Sequence, residues 1–353
     1  MITIGVDAHK SLHVALAIDD AGRTLDHWKG PNSPQGWQDI QHWATALGTP
    51  RRWGIEGAGN YGRGLAQALV EAGETVYEIN PRWTAQTRRS ARKPGKTDRL
   101  DAQAVAYLVQ RDHATLPQVQ LEDATSVLDL LVKEREDALA EATRLRNQLH
   151  FLLLQVDPQY KDSVPALTSP EGLEAVEQYS TSSPKLMDTA RVASIRRLAQ
   201  RLRLAHTQAE DLEKQITTRT QEAGFSPLTE LKGVGLLTAG AIAGILGPGM
   251  RFQNDAQVAA YAGVAPLEVS SAGNVRHRLN RGGNRRLNAI LYRIAFTQAH
   301  CLPAAKTYLA DRIADGKTRK EAYRALKRYL VRAIWKLWQK CLAALAPAAL
   351  AAA

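Results

Sequence analysis

Ile2-Thr3-Ile4-Gly5-Val6-Asp7 is a β-rich run that ends on a carboxylate. Leu12 to Asp19 repeats the apolar pattern, and Asp19-Asp20-Ala21-Gly22 supplies turn residues, so a second strand is predicted there. Thr24 to Lys29 reads as a third strand, and Pro34 to Leu47 as a helix. Arg52-Trp53-Gly54-Ile55-Glu56 reads as a fourth strand, again closing on a carboxylate, and Gly57-Ala58-Gly59-Asn60 breaks it. A helix from Tyr61 to Ala72 and a strand from Thr75 to Ile79 complete the run.

A three-strand meander followed by α/β alternation is the element order of the RNase H-like fold. In such a sheet strands one and four are neighbours, so Asp7 and Glu56 are expected to meet at their ends. A second acidic pair follows in Gly95-Lys96-Thr97-Asp98-Arg99-Leu100-Asp101-Ala102. Thr97 is a good N-cap, which puts Asp98 and Asp101 at i and i+3 on one helical face. Alone, that pair is either an acidic helix start favoured by the dipole or half of a cation site. Joined to Asp7 and Glu56 it makes a D-E-D-D set, which calls for hard divalent cations with oxygen ligands. Two such ions about 3.5–4 Å apart can clamp the attacking and leaving oxygens of a phosphodiester. We expect a two-metal Mg²⁺ site on Asp7, Glu56, Asp98 and Asp101, with Lys10 able to hold a phosphate nearby.

Charge narrows the class of partner. The net charge is +11 over 353 residues, and it is uneven. Residues 1–80 hold 6 Lys/Arg and 9 Asp/Glu, residues 82–101 hold 7 and 2, and residues 276–340 hold 17 and 3. Two concentrated basic blocks indicate a polyanion binder. Arg88, Arg89, Arg92, Lys93 and Lys96 lie in the first; Arg276, Arg278, Arg281, Arg285 and Arg286 lead the second. Cys301 and Cys341 are the only cysteines, which excludes a disulfide framework and a CxxC metal site. No leader pattern and no apolar run of about 18 residues is present, so a cytoplasmic protein without a membrane span is expected.

Leu121 to Val156 and Pro184 to Ala223 read as two long helices, with leucines at mixed three- and four-residue steps and a break from Asp157 to Pro170. We expect a coiled-coil hairpin that serves oligomerisation, because such a pair cannot bury its stripe alone. Residues 228–246 read as helix, Gly-Val-Gly turn, helix, suited either to a phosphate or to tight packing. Trp335, Trp338, Tyr323 and Tyr329 are expected in the core of a helix from Thr318 to Cys341, and the Ala-rich tail after Lys340 is expected to fray.

Gly5-Val6-Asp7-Ala8-His9-Lys10, Ile55-Glu56-Gly57-Ala58-Gly59-Asn60-Tyr61, Lys96-Thr97-Asp98-Arg99-Leu100-Asp101-Ala102 and the segment from Ala262-Gly263-Val264-Ala265-Pro266 to Ser271 together resemble the DEDD insertion-sequence transposases. That family includes the Piv DNA invertase and the bridge-RNA-guided recombinases. The resemblance covers nearly the whole chain and implies an α/β plus α organisation. Residues 1–115 would form a RuvC-like metal domain, residues 120–224 the coiled coil, and residues 226–345 a mostly helical C-terminal transposase domain. It further implies a serine nucleophile in a Pro-x-x-x-x-Ser-Gly context. The count from Pro266 lands on Ser271, followed here by Ala272 instead of Gly, with Ser270 as the neighbouring alternative. Donor and target DNA, a structured noncoding guide RNA, and a homo-oligomer (dimer or tetramer) with a composite active site are the implied partners.

The function expected from these readings is DNA cleavage and rejoining through a metal-assisted phosphoserine. A RuvC-type junction nuclease would use the same carboxylates with water and form no covalent intermediate. An actin-like sugar kinase could also open on Gly5-Val6-Asp7, but there is no second clear phosphate-binding glycine loop and the basic blocks argue against it. A non-catalytic nucleic-acid scaffold would leave the D-E-D-D set without a purpose.

Overall fold

The first eighty positions form five strands, β1 (Ile2–Ala8), β2 (Leu12–Ile18), β3 (Thr24–Pro31), β4 (Arg51–Glu56) and β5 (Val76–Ile79), and β1 and β2 are buried on both faces. The computed structural model describes residues 1–84, 97–248, 251–268, 277–278, 280 and 282–351, in two units, Met1–Asp123 and Ala124–Ala353. The sheet order is β3-β2-β1-β4-β5. β1–β2 and β2–β3 are antiparallel, whereas β1–β4 and β4–β5 are parallel. This is the mixed sheet expected of a RuvC-like domain, with β1 at its centre.

Each face of the sheet is covered. Helices α1 (Pro34–Leu47) and α2 (Arg63–Glu71) pack on one side. There Ile40, Ala44, Leu65 and Leu69 meet Ile4, Val6, Trp53 and Ile55. Ser33 caps α1, accepting from the Gly36 amide at 3.2 Å, and Pro34 fits the first turn. Helix α3 (Asp98–Asp112) covers the other side, where Ala102 and Ala106 pack on Val14, Leu16 and Ile18.

The second unit begins with α4 (Ala124–Val156), followed by α5 (Pro170–Glu177) and α6 (Leu186–Glu222). Arg135 bonds Glu213, Arg201 bonds Glu141 and Arg191 bonds Gln155, so α4 and α6 run antiparallel. Helix α5 lies inside the expected break. Ser169 caps it and Pro170 starts it. Its Leu173 and Val176 join Leu149, Leu153, Ile195 and Leu202 in one buried cluster. The pair is therefore not a bare hairpin, since α5 buries part of the stripe within the chain. Leu130, Phe151, Leu154 and Leu204 stay more than half exposed.

Helix α7 (Leu236–Leu246) is tightly packed, as one of the two readings of residues 228–246 expects. A Cβ on Gly240 would stand 2.3 Å from Thr220 Oγ1, and one on Gly244 would stand 2.6 Å from the Asp129 nitrogen. The expected helix before the turn is only a 3-10 segment, Ser226–Glu230. It is squeezed between two left-handed glycines, Gly224 and Gly233. The remainder comprises α8 (Asp255–Tyr261), a two-residue ladder of β6 (Leu267–Glu268) and β7 (His277–Arg278), α9 (Arg285–Cys301), α10 (Pro303–Ala314) and α11 (Arg319–Ala351). Trp338 is buried and stacks on Phe225 at 5.0 Å, and Tyr323 is buried, but Tyr329 is exposed. Helix α11 continues to Ala351, with Cys341 buried and Leu342 and Leu345 packed on the same core. Among the described residues no helix is long and apolar enough to cross a membrane.

Candidate active site

β1 and β4 run in register, pairing Gly5 with Gly54 and Asp7 with Glu56. Side chains alternate along a strand, so Gly5 and Asp7 share one face of β1, and Gly54 and Glu56 share one face of β4. That face carries α3. A Cβ on Gly5 would stand 2.1 Å from the Ala102 carbonyl oxygen and 2.3 Å from the Ala106 nitrogen. One on Gly54 would stand 2.3 Å from Val109 Cγ2. The two glycines thus let the helix lie against strand backbone, and the acid two residues further along each strand comes level with its first turn.

Thr97 starts that turn. Its backbone is extended, and its Oγ1 accepts from the Leu100 amide at 3.2 Å. Asp98 and Asp101 follow in the acidic first turn, near the positive end of the helix dipole. Asp7 and Asp101 are buried, while the Asp98 side chain is about half exposed. Burial lifts the Asp7 carboxyl from 3.8 to about 6; His9 pulls it down, and Asp101, Glu56 and Asp98 push it up again. All four carboxylates therefore act on one electrostatic neighbourhood, the situation that a cation relieves.

His9 is the member that sequence reasoning missed. Its Nε2 stands 3.2 Å from Asp7 Oδ2 and 3.6 Å from Asp98 Oδ1, and it is buried without a hydrogen-bond partner. One ligand atom from each of Asp7, His9 and Asp98 falls within 4.8 Å of the others. A buried imidazole nitrogen facing two carboxylates fits a divalent ion, to which each would give a lone pair. The signal available in the sequence was a histidine two residues past the strand-end aspartate.

Asn32 holds the turn that carries His9. Its Nδ2 lies 3.4 Å from the His9 carbonyl, 3.3 Å from the Lys10 carbonyl and 3.1 Å from the Tyr61 carbonyl. Trp37 Nε1 donates to Asn32 Oδ1 at 3.0 Å and fixes the amide. One side chain thereby ties the loop after β1 to the loop after β4. Lys10 is exposed on that turn.

Of the other expected site residues, Ser270, Ser271, Arg276, Arg281, Arg88, Arg89, Arg92, Lys93 and Lys96 lie outside the described residues. Arg278 is exposed on β7, and Arg285 is exposed at the start of α9. Arg286 has internal partners. It donates through Nη1 to Asp129 at 2.7 Å and through Nε to Glu136 at 2.6 Å, both on α4. These ion pairs lock α9 to α4.

Residues 4–158 match a family profile for the DEDD transposase of IS110, described as "Transposase", and residues 226–310 match one described as "Transposase IS116/IS110/IS902 family". The chain is 29% identical to an uncharacterized protein of insertion element IS110 from Streptomyces coelicolor, over 95% of this chain and 93% of that one. It is 26% identical to an uncharacterized protein of insertion element IS116 from Streptomyces clavuligerus, over 95% and 94%. A pilin gene-inverting protein of Moraxella bovis is 23% identical over 93% and 92%. Among solved structures, T. thermophilus RuvC in complex with a Holliday junction substrate aligns over 34% of this chain and 99% of its own, with 16% identity and a TM-score of 0.27.

Proposed function

This chain belongs to the IS110/IS116/IS902 transposase family, and on that premise we propose that it cleaves and rejoins DNA through a serine nucleophile beside a divalent-metal site. The observation that carries the reading is the convergence on Asp7: Glu56 by strand register, Asp98 and Asp101 from the capped helix, and His9 Nε2 between Asp7 and Asp98. Asp7, Glu56, Asp98 and Asp101 would hold Mg²⁺, two ions in the fullest form, with His9 at its edge. A bound divalent ion there compensates the carboxylates and polarises a phosphodiester oxygen.

The chain's own groups do the rest. Ser271 Oγ, with Ser270 as the adjacent alternative, attacks the phosphorus. The P–O bond to one deoxyribose breaks, and that oxygen leaves as a hydroxyl carrying the proton. The phosphoserine keeps a diester bond, so rejoining by an incoming hydroxyl needs no external energy source. A serine hydroxyl is a weak nucleophile until activated, which suits its use next to a charged site. Arg278 and Arg285 would bind backbone. DNA donor and target, a structured noncoding RNA that supplies target choice, and a homo-oligomer, for which the exposed apolar residues of α4 and α6 are suited, are the proposed partners.

The test is a denaturing gel of the full chain with labelled DNA and Mg²⁺. A protein-linked band is expected from the unaltered chain and from Ser270→Ala, and none from Ser271→Ala. Cleavage with no band in any of them would instead fit a junction nuclease that uses water. Retention of the band by Ser271→Ala and its loss in Ser270→Ala would move the nucleophile to Ser270.

A further inference from the structure

A cavity of about 850 Å³ in the second unit lies between the start of α9 and the start of α11. Five cations line it, Arg285, Arg319, Lys320, Arg324 and Lys327, and among the described residues no carboxylate does, although Arg324 pairs with Glu321 at 3.5 Å. Lys327 is the informative one. It is only 7% exposed. Its Nζ donates to Asn288 Oδ1 at 2.8 Å, and Asn288 Nδ2 donates to the Ala262 carbonyl at 2.8 Å, so the amide is fixed with its oxygen toward the lysine. That accounts for one of three ammonium donors. No carboxylate neutralises Lys327 among the described residues, and its ordinary value is lowered by burial and by Arg324. A buried ammonium without a counter-ion is costly unless a ligand completes it.

The surroundings supply the other features of a nucleotide site. Gly263 and Gly283 form one wall as bare backbone: a Cβ on Gly283 would stand 2.3 Å from the Gly263 nitrogen, and Gly263 has φ +68°. Arg285 and Lys320 have no carboxylate partner among the described residues and are exposed at the mouth. Tyr323 is buried, with the Arg319 guanidinium 5.9 Å from its ring centre. Its neighbour Tyr292, 5.8 Å away between ring centres, is half exposed and also lines the cavity. An exposed aromatic ring beside clustered cations is the pairing that binds a single strand, one part taking the base and the other the backbone.

We propose that this cavity is a nucleotide pocket, in which Lys327, Arg285 and Arg324 take one phosphodiester of a single nucleic-acid strand and Tyr292 stacks the adjoining base. The choice of nucleic acid rests on the recombinase reading, but the pocket is tested without catalysis. Full-length protein in EDTA is titrated with fluorescein-labelled oligothymidylate and oligouridylate across a salt series, followed by anisotropy. Lys327→Met and Arg285→Ala should each weaken binding about tenfold and flatten the log–log salt slope by about 0.7. Tyr292→Ala should weaken binding with the slope unchanged, because a stack carries no counterion. Preference for either probe, lost in the variants, supports the pocket and identifies DNA or RNA as its source.

Unchanged affinity and slope in both Lys327→Met and Arg285→Ala overturn the pocket. So does a Lys327→Met protein that melts lower yet keeps its slope, since that is the behaviour of a packing residue. Neither result touches the protein-linked band on which the recombinase reading depends.

Discussion

Gly5 lies directly under Ala102, so close that a Cβ on the glycine would sit 2.1 Å from the Ala102 carbonyl oxygen. The contact is backbone on both sides, and no rotamer change can relieve it. Gly5→Ala should push α3 off the sheet at a cost of about 1–3 kcal/mol or more. It should also weaken divalent-ion binding, because Asp98 and Asp101 ride on that helix. Urea denaturation and Mn²⁺ calorimetry measure the two effects; a variant with native stability would mean that α3 does not rest on β1.

Asp101→Asn should leave the fold intact and reduce strand cleavage below detection. Asp101 is buried at 5% exposure, not turned toward solvent, and the amide is nearly the same size, so packing is retained while a ligand charge is lost. Ordinary cleavage by this variant at ordinary Mg²⁺ would remove Asp101 from the site.

The raised Asp7 carboxyl gives a pH signature. Its value goes from 3.8 to about 6 on folding, mainly through burial. The folded state therefore binds the proton more tightly, and stability in the absence of metal is lost as pH rises from about 4 through 6, by at most about 3 kcal/mol. Asp7→Asn should remove that loss and raise the melting temperature of the EDTA-treated protein at pH 7.5. Divalent-ion affinity of the unaltered protein should climb through the same interval as the competing proton leaves. A melting temperature independent of pH between 4 and 7 would count against this placement of Asp7.

Arg286→Ala should act on stability. Its guanidinium bridges Asp129 and Glu136, and the side chain is 25% exposed. Removing it leaves Glu136 without this partner and Asp129 with Lys133 alone, for an expected loss of about 1–3 kcal/mol. The salt slope of nucleic-acid binding should be unchanged, in contrast to Arg285→Ala. A flattened slope with native stability would restore Arg286 to the phosphate-binding set.

Much of the first unit could be read directly. The helix Pro34–Leu47 has the boundaries its Ser-Pro start and following Gly48 suggest, and the Thr97 cap falls where its chemistry places it. Those are local signals. The internal partners of Arg286 were not legible because they lie 157 and 150 residues upstream, and no periodicity reports such a pairing. His9 and Lys327 were missed for a related reason. Each matters through what surrounds it: the Asn32-pinned turn in one case, the α9–α11 cavity in the other. Helix α5 was hidden among turn residues, since Ser169-Pro170 begins a helix as readily as it ends one.

The register of β1 with β4 has a consequence for how such a chain can vary. Glycine and acid are spaced by two in both strands, and the pairs face each other. Losing or gaining one residue between Gly5 and Asp7, or between Gly54 and Glu56, would turn a carboxylate to the opposite side of the sheet, among the apolar contacts of α1 and α2. No compensating substitution elsewhere restores it. Length changes should therefore be tolerated in the turn at Asp19–Gly22 and rejected within these two strand ends. A scan of single-codon insertions and deletions through residues 2–60, scored by DNA cleavage, would trace that boundary.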